Sequence, residues 1–237
     1  MLGLILMLMS LPCYAGPKHF QEAKKQAFAI WSEHKQTFYC GCDYDKHGNI
    51  NFKSCSYEPS DYRHDKRVSW EHVVPVSWFG KSLDCWNKPI CKTKNGKIFK
   101  GRKCCSKRSE LFRAMETDLH NLVPAIRDVN SHRENYRFSE FAIDHNKERF
   151  FFNHCPIIID ERYGLVEPPD VSKGMVARIS LYMAAKYGID LGEWQHRLLT
   201  DWNHRYPVTA WEIKWNRKVC AIQGDSNYYI DKKRFCE

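Results

Sequence analysis

Apolar positions along the chain recur at two spacings, one helical and one extended, and together they predict an α+β fold. Over residues 20–34, Ala23, Ala27, Ile30 and Trp31 return to one face while Lys24, Lys25 and Glu33 lie off it, which predicts an amphipathic helix. Val176, Ile179, Met183 and Tyr187 repeat in the same way, and Gly188 supplies a left-handed stop. Asp190 and Glu193 resemble a capping box for a further helix, whose Leu191, Trp194, Leu198 and Trp202 face inward until Pro207 ends the pattern. Residues 67–74 and 150–159 are rich in aromatic and β-branched side chains and predict strands. Pro124 suits the first position of a helix continued by Ile126, Val129 and Arg133, so Asn121 is expected at a strand-to-helix junction. Residues 85–108 are dense in Lys, Arg and Cys with little periodicity, and predict a disulfide-pinned basic loop.

The first fifteen residues carry an apolar run from Met1 to Met9 followed by Cys13-Tyr14-Ala15. The run is too short to span a bilayer and reads as a signal peptide over residues 1–15, with one domain over 16–237. No later segment is long and apolar enough for a membrane anchor. Beyond Cys13 lie ten of the eleven cysteines, an even number that in an exported chain means up to five disulfides of open connectivity. Cys40-Gly41-Cys42 and Cys104-Cys105 lack the two-residue gap that lets paired thiolates share a zinc ion. Roughly 220 residues suffice for one large domain with a real core.

Charge narrows the partners. A formal charge of +9 and a sequence pI near 9.0 favour a polyanion, because each Lys or Arg set against a phosphate displaces a condensed counterion. The basic residues between Lys92 and Arg113 suit a phosphate backbone, and with no recognition helix apparent they imply little sequence specificity. Two peptides carry candidate chemistry. Trp70-Glu71-His72-Val73-Val74-Pro75 sets a hard oxygen ligand, Glu71, beside a potential general base, His72. Asp118-Leu119-His120-Asn121-Leu122-Val123-Pro124 offers a second oxygen, that of Asn121, for Mg²⁺. Successive strand residues point to opposite faces, so Glu71 and His72 need a bend or strand end to serve one site. His120 is expected to make a structural hydrogen bond. Asp43, Asp45, His47, Gly48, Asn49 and Asn51 approximate the early positions of a calcium loop, but Ser54 stands where a bidentate Glu is needed, so this segment reads as a polar hairpin between Cys42 and Cys55.

These two peptides, in this order and separated by a Cys-rich basic segment, resemble the bacterial endonuclease I family. So do Phe38-Tyr39-Cys40-Gly41-Cys42, Gly101-Arg102-Lys103, Tyr182-Met183 and Trp202-Asn203, so the resemblance covers most of the mature chain. It implies a disulfide-stabilised single domain with a ββα-metal nuclease core, in which a strand-borne base lies opposite a metal held at the start of a helix. By motif, Glu71 and Asn121 become metal ligands, His72 the general base, and Arg102 the group that meets the scissile phosphate. The implied protein is a periplasmic or secreted monomer that uses Mg²⁺, with Mn²⁺ or Ca²⁺ as alternative occupants. It cleaves DNA and RNA without sequence specificity to 5′-phosphate and 3′-hydroxyl ends. Two other readings compete: a catalytically silent, disulfide-rich polyanion-binding protein, and a phosphoesterase of small phosphate esters.

Overall fold

The computed structural model describes residues 16–60, 65–142, 150–232 and 236, so the expected signal peptide lies outside the described residues. Helix α1, Phe20–Trp31, buries Ala23, Ala27, Ile30 and Trp31, the face its spacing predicts. Its Phe20 ring stacks on the last residue of strand β1, Ser69–His72. Two short helices follow, α2 at Val76–Gly80 and α3 at Asp84–Asn87, then a hairpin of β2, Cys91–Lys92, and β3, Ile98–Phe99. Helix α4, Arg102–Arg108, begins after Gly101, whose φ of 85° is one that glycine adopts without strain. The expected loop over 85–108 is therefore a compact assembly of short elements. Their apolar contacts are partly supplied by cystine, which no periodicity reveals.

Helix α5, Glu110–Thr117, and a 3-10 turn at Leu119–Asn121 lead into β4, Leu122–Ala125, which pairs antiparallel with β1 in the register Glu71↔Val123 and His72↔Leu122. Pro124 thus sits inside a strand, and the helix expected to start there, α6, runs over Arg127–Arg133. The proline is tolerated because its carbonyl points away from β1, accepting from Phe38 N at 2.7 Å, so the missing N–H also faces outward. Strands β1 and β4 and helix α6 form a strand-strand-helix unit.

A second sheet has the order β5 (Arg137–Phe138), β8 (Leu165–Glu167), β7 (Cys155–Asp160), β6 (Phe151–Phe152). The single strand expected over 150–159 is instead a hairpin, broken where Asn153 and His154 take φ of 46° and 63°. Helix α7, Asp170–Tyr187, is buried around most of its circumference and ends at left-handed Gly188. Helix α8, Glu193–Arg205, packs on it through Leu199 and Trp202. Its start differs from expectation: Asp190 closes a turn by accepting from Gly192 N, and Trp194 is 46% exposed rather than inward. The reciprocal cap belongs to α9, Ala210–Gln223, where Thr209 and Glu212 each accept from the other's backbone. Among the described residues no helix is long and apolar enough to cross a membrane.

All ten cysteines beyond Cys13 are paired: Cys40–Cys155, Cys42–Cys55, Cys85–Cys105, Cys91–Cys104 and Cys220–Cys236. The segment enclosed by Cys42 and Cys55 is the polar hairpin expected. Asp45 commits its carboxylate to the N–H groups of His47 and Asn49 and to the Asn49 amide.

Candidate active site

Strand β1 stops at His72, and the chain bends through Val73 and Val74 into α2. His72 sits at the strand end, yet the alternation of β1 persists: His72 faces Phe20, Glu116 and Arg102, whereas Glu71 faces Arg133 and Tyr39. The His72 ring is almost fully buried, stacks on Phe20 at 5.1 Å, and donates from Nε2 to the main-chain oxygen of Glu116 at 2.8 Å. A carbonyl only accepts, so Nε2 carries the proton and the lone pair is on Nδ1. Burial and the guanidinium of Arg102 hold the imidazole neutral, with its pKa lowered to about 3 against the opposing hydrogen bond to Glu116.

Glu116 serves twice. Its buried carboxylate accepts from Arg102 Nε at 2.6 Å and from Ser106 Oγ at 2.9 Å. The Arg102 guanidinium also lies over the Phe20 ring at 4.9 Å. Held by Nε alone, and with its side chain 42% exposed, Arg102 presents its two outer nitrogens forward, where among the described residues nothing accepts from them. His72 and Arg102 are thereby brought together around one glutamate and one phenylalanine, neither of which the sequence motifs single out.

Glu71 points to the other side of β1, into the interior. Its Oε1 lies 3.2 Å from Arg133 Nη1 yet accepts no well-formed hydrogen bond. Burial pushes the carboxyl up to about 7, against the opposing effects of Arg133 and the Tyr39 hydroxyl. Arg133 is itself fixed by the carbonyl of Val73, to which Nη2 donates at 2.6 Å. A buried carboxylate with an unsatisfied oxygen and a raised pKa is the condition that a bound cation relieves.

Asn121 lies where the 3-10 turn enters β4, not at the expected strand-to-helix junction. It is fully buried, with Val74 N donating to Oδ1 at 2.7 Å and Nδ2 donating to Val74 O at 2.9 Å. That two-way bond straps the 3-10 turn to the bend after His72. The neighbouring motif residues are likewise structural. His120 bonds Asn216 and Gln223, and Asp118 accepts from Tyr182, Lys186, Tyr187 and Gln223. The amide that faces β1 from the helix is Asn130, whose Nδ2 donates to Ser69 Oγ at 3.3 Å and to Trp70 O at 3.2 Å. Among the described residues nothing donates to its Oδ1. Asn130 and Arg133 are three residues apart on α6 and share the face that lies over Glu71.

The donor set near Glu71 suits a hard cation. It offers a carboxylate and an amide oxygen with no thiolate, and among the described residues no three of His, Cys, Asp and Glu converge to form an all-protein cage. Asn130 was legible in principle, as the polar residue one turn before Arg133, once the helix start is moved from Pro124 to Arg127.

A model of the endonuclease I family matches residues 18–234. An extracellular deoxyribonuclease of Aeromonas hydrophila is 38% identical over 231 residues, which is 95% of this chain and 94% of that protein. A periplasmic deoxyribonuclease of the same species is 37% identical over 238 residues, covering 98% and 93%. An endonuclease-1 of Buchnera aphidicola subsp. Baizongia pistaciae (strain Bp) is 36% identical over 220 residues, covering 91% and 84%.

Proposed function

The chain belongs to the endonuclease I family and is a nuclease, and on that premise we propose that it is an exported, Mg²⁺-dependent, sequence-nonspecific endonuclease with His72 as general base. The observation that carries this reading is the attachment of His72 and Arg102 to the same residue, Glu116, with the unsatisfied carboxylate oxygen of Glu71 belonging to the preceding residue of β1. Strands β1 and β4 with α6 serve as the ββα-metal core. The metal ligands are Glu71 and, in place of Asn121, Asn130, because the amide of Asn121 is already committed to both backbone groups of Val74.

When bound there, a divalent cation would supply Lewis-acid polarisation of the phosphodiester and neutralise charge on the leaving 3′ oxygen. Nδ1 of His72 takes a proton from the attacking water, as a neutral imidazole near pH 7 can. The outer nitrogens of Arg102 hold a non-bridging phosphate oxygen and offset the negative charge that grows there. Water adds to phosphorus opposite the 3′ oxygen, which departs and takes a proton from solvent, leaving 5′-phosphate and 3′-hydroxyl ends. These groups address the phosphate and not base edges, which supports cleavage of RNA as well as DNA and a lack of sequence preference. Export to the periplasm or medium is supported by the leader-like first fifteen residues and the five disulfides.

The test is cleavage of plasmid and RNA by oxidised protein, wild type beside His72→Ala, with Mg²⁺ and with EDTA. Turnover lost in both the variant and the chelated sample is expected. Turnover that survives both would refute the assignment.

A further inference from the structure

Residues 85–109 contain nine Lys and Arg and no Asp or Glu, an excess equal to the formal charge of +9 of the whole chain. The rest of the protein therefore carries no net formal charge, and the excess of positive charge resides in the segment around Arg102. Within that segment several cations outside the hairpin are engaged: Lys88 pairs with Asp84 at 2.9 Å, Lys100 donates to Asn87 O at 3.1 Å, Arg102 pairs with Glu116, and Lys107 lies over the Phe99 ring at 5.2 Å, while Lys103 and Arg108 on α4 are exposed. Lys92, Lys94 and Lys97, on the β2–β3 hairpin, are exposed, and among the described residues none of them meets a carboxylate.

A two-stranded hairpin this short is marginal in water by itself. Here it is closed tightly, with Thr93 N donating to Lys97 O at 2.8 Å and Gly96 turning at a φ of 82°. Cys91–Cys104 fastens its base to α4, while Cys85–Cys105 fastens the preceding helix to the next residue of α4. Cys104 is two residues from Arg102 along the same helix, so the hairpin is held at a fixed place relative to the nitrogens that face the scissile phosphate. Covalent bracing of an otherwise unstable loop that displays unengaged cations is the construction expected of a rigid electrostatic clamp.

We infer that the hairpin of residues 91–99 is a second nucleic-acid binding element, a cationic finger that holds the duplex backbone flanking the phosphate addressed by Arg102. This rests on the nuclease reading above. The finger extends about four residues beyond Cys91, on the order of 13 Å at 3.3 Å per residue, or roughly four base pairs at 3.4 Å each.

The experiment measures binding apart from cleavage. A fluorescent 30-base-pair duplex is titrated with oxidised protein in EDTA at graded salt, comparing wild type, the finger variant Lys92→Ala/Lys94→Ala/Lys97→Ala, and the control Lys35→Ala/Lys46→Ala/Lys53→Ala. The control removes the same charge from exposed lysines elsewhere. The slope of log affinity against log salt should flatten by roughly 2 to 3 in the finger variant, at about 0.9 for each phosphate no longer neutralised, and by less than about 0.5 in the control. A finger variant with the wild-type slope, or a control flattened equally, overturns the inference. Plasmid cleavage with Mg²⁺ is run in parallel. Wild type that cleaves while the finger variant keeps the full slope refutes the finger alone, whereas wild type that neither binds nor cleaves removes the nuclease reading and the finger with it.

Discussion

The main-chain oxygen of Glu116 lies 2.8 Å from Nε2 of His72, while the side chain of the same residue holds Arg102 Nε at 2.6 Å. The base and the phosphate-facing cation are thus indexed to one residue through two independent oxygens. Glu116→Gln keeps the backbone carbonyl, and with it the tautomer of His72, but removes the charge that orients Arg102. Roughly a tenfold loss in kcat/KM is expected, with kcat falling because Arg102 offsets charge that grows in the transition state; a charge-assisted hydrogen bond contributes about 1.5–3 kcal/mol and a neutral amide retains part of it. A variant that raised KM with kcat unaltered would show that Glu116 holds Arg102 for substrate binding alone.

Two groups at the site titrate in unusual ranges, and they predict an unusual pH profile. His72 is held near 3 by burial and Arg102, so its neutral form persists far below the ordinary imidazole value and does not set the acid limb. Glu71, raised to about 7 chiefly by burial, binds a proton in competition with any cation. Activity should therefore rise as pH passes through 7, and the acid limb should move to lower pH as Mg²⁺ is increased. A limb fixed near 6.5 at every Mg²⁺ concentration would instead report an unshifted histidine. Stability follows the same logic. The metal-free folded state holds the Glu71 proton more tightly than the unfolded chain, so this group's contribution is complete below about 4.5 and is lost as pH rises through about 7. Mg²⁺ should accordingly raise Tm more at pH 8 than at pH 5.

The two asparagines separate by what their loss disturbs. Asn121→Ala leaves the buried N–H and carbonyl of Val74 without partners and should lower stability by about 2–4 kcal/mol, read as a shift in the denaturant midpoint. Asn130→Ala removes a half-buried side chain bonded to Ser69 and Trp70, and should cost about 1 kcal/mol or less. Its main effect should be on cation binding, measured by calorimetric titration of Mg²⁺ or Mn²⁺ against the folded variant. Equal cation affinity in wild type and Asn130→Ala, with affinity lost in Asn121→Ala, would restore Asn121 as the ligand.

The difference between these asparagines also shows which parts of the fold the sequence makes legible. Helix α1 and the stop at Gly188 follow from local spacing, and the even set of cysteines from their number, because each depends on near neighbours or on simple parity. Pro124 misled because its tolerance in β4 depends on facing outward toward Phe38, a residue distant in sequence. That one displacement moved the helix start from Pro124 to Arg127. Glu116 and Phe20 were invisible for a related reason: one acts through its backbone as well as its side chain, the other as a ring that both His72 and Arg102 contact, and no motif encodes either role.

The disulfides differ in the loops they close, and this sets an order for their contributions. Cys40–Cys155 spans 115 residues and Cys42–Cys55 spans 13, so a chain-entropy account gives about 5 kcal/mol for the first and about 3 for the second. The longer link also neighbours the site, since Tyr39 lies beside Glu71 and Phe38 N bonds Pro124 O on the outer side of β4. Cys40→Ser/Cys155→Ser should therefore lower the denaturant midpoint more than Cys42→Ser/Cys55→Ser and should also weaken Mg²⁺ binding. Complete reduction should remove most activity, because it releases both anchors of α4 together with the Cys40–Cys155 link. Undiminished cleavage by fully reduced protein would show that β1, β4 and α6 hold the site without covalent help.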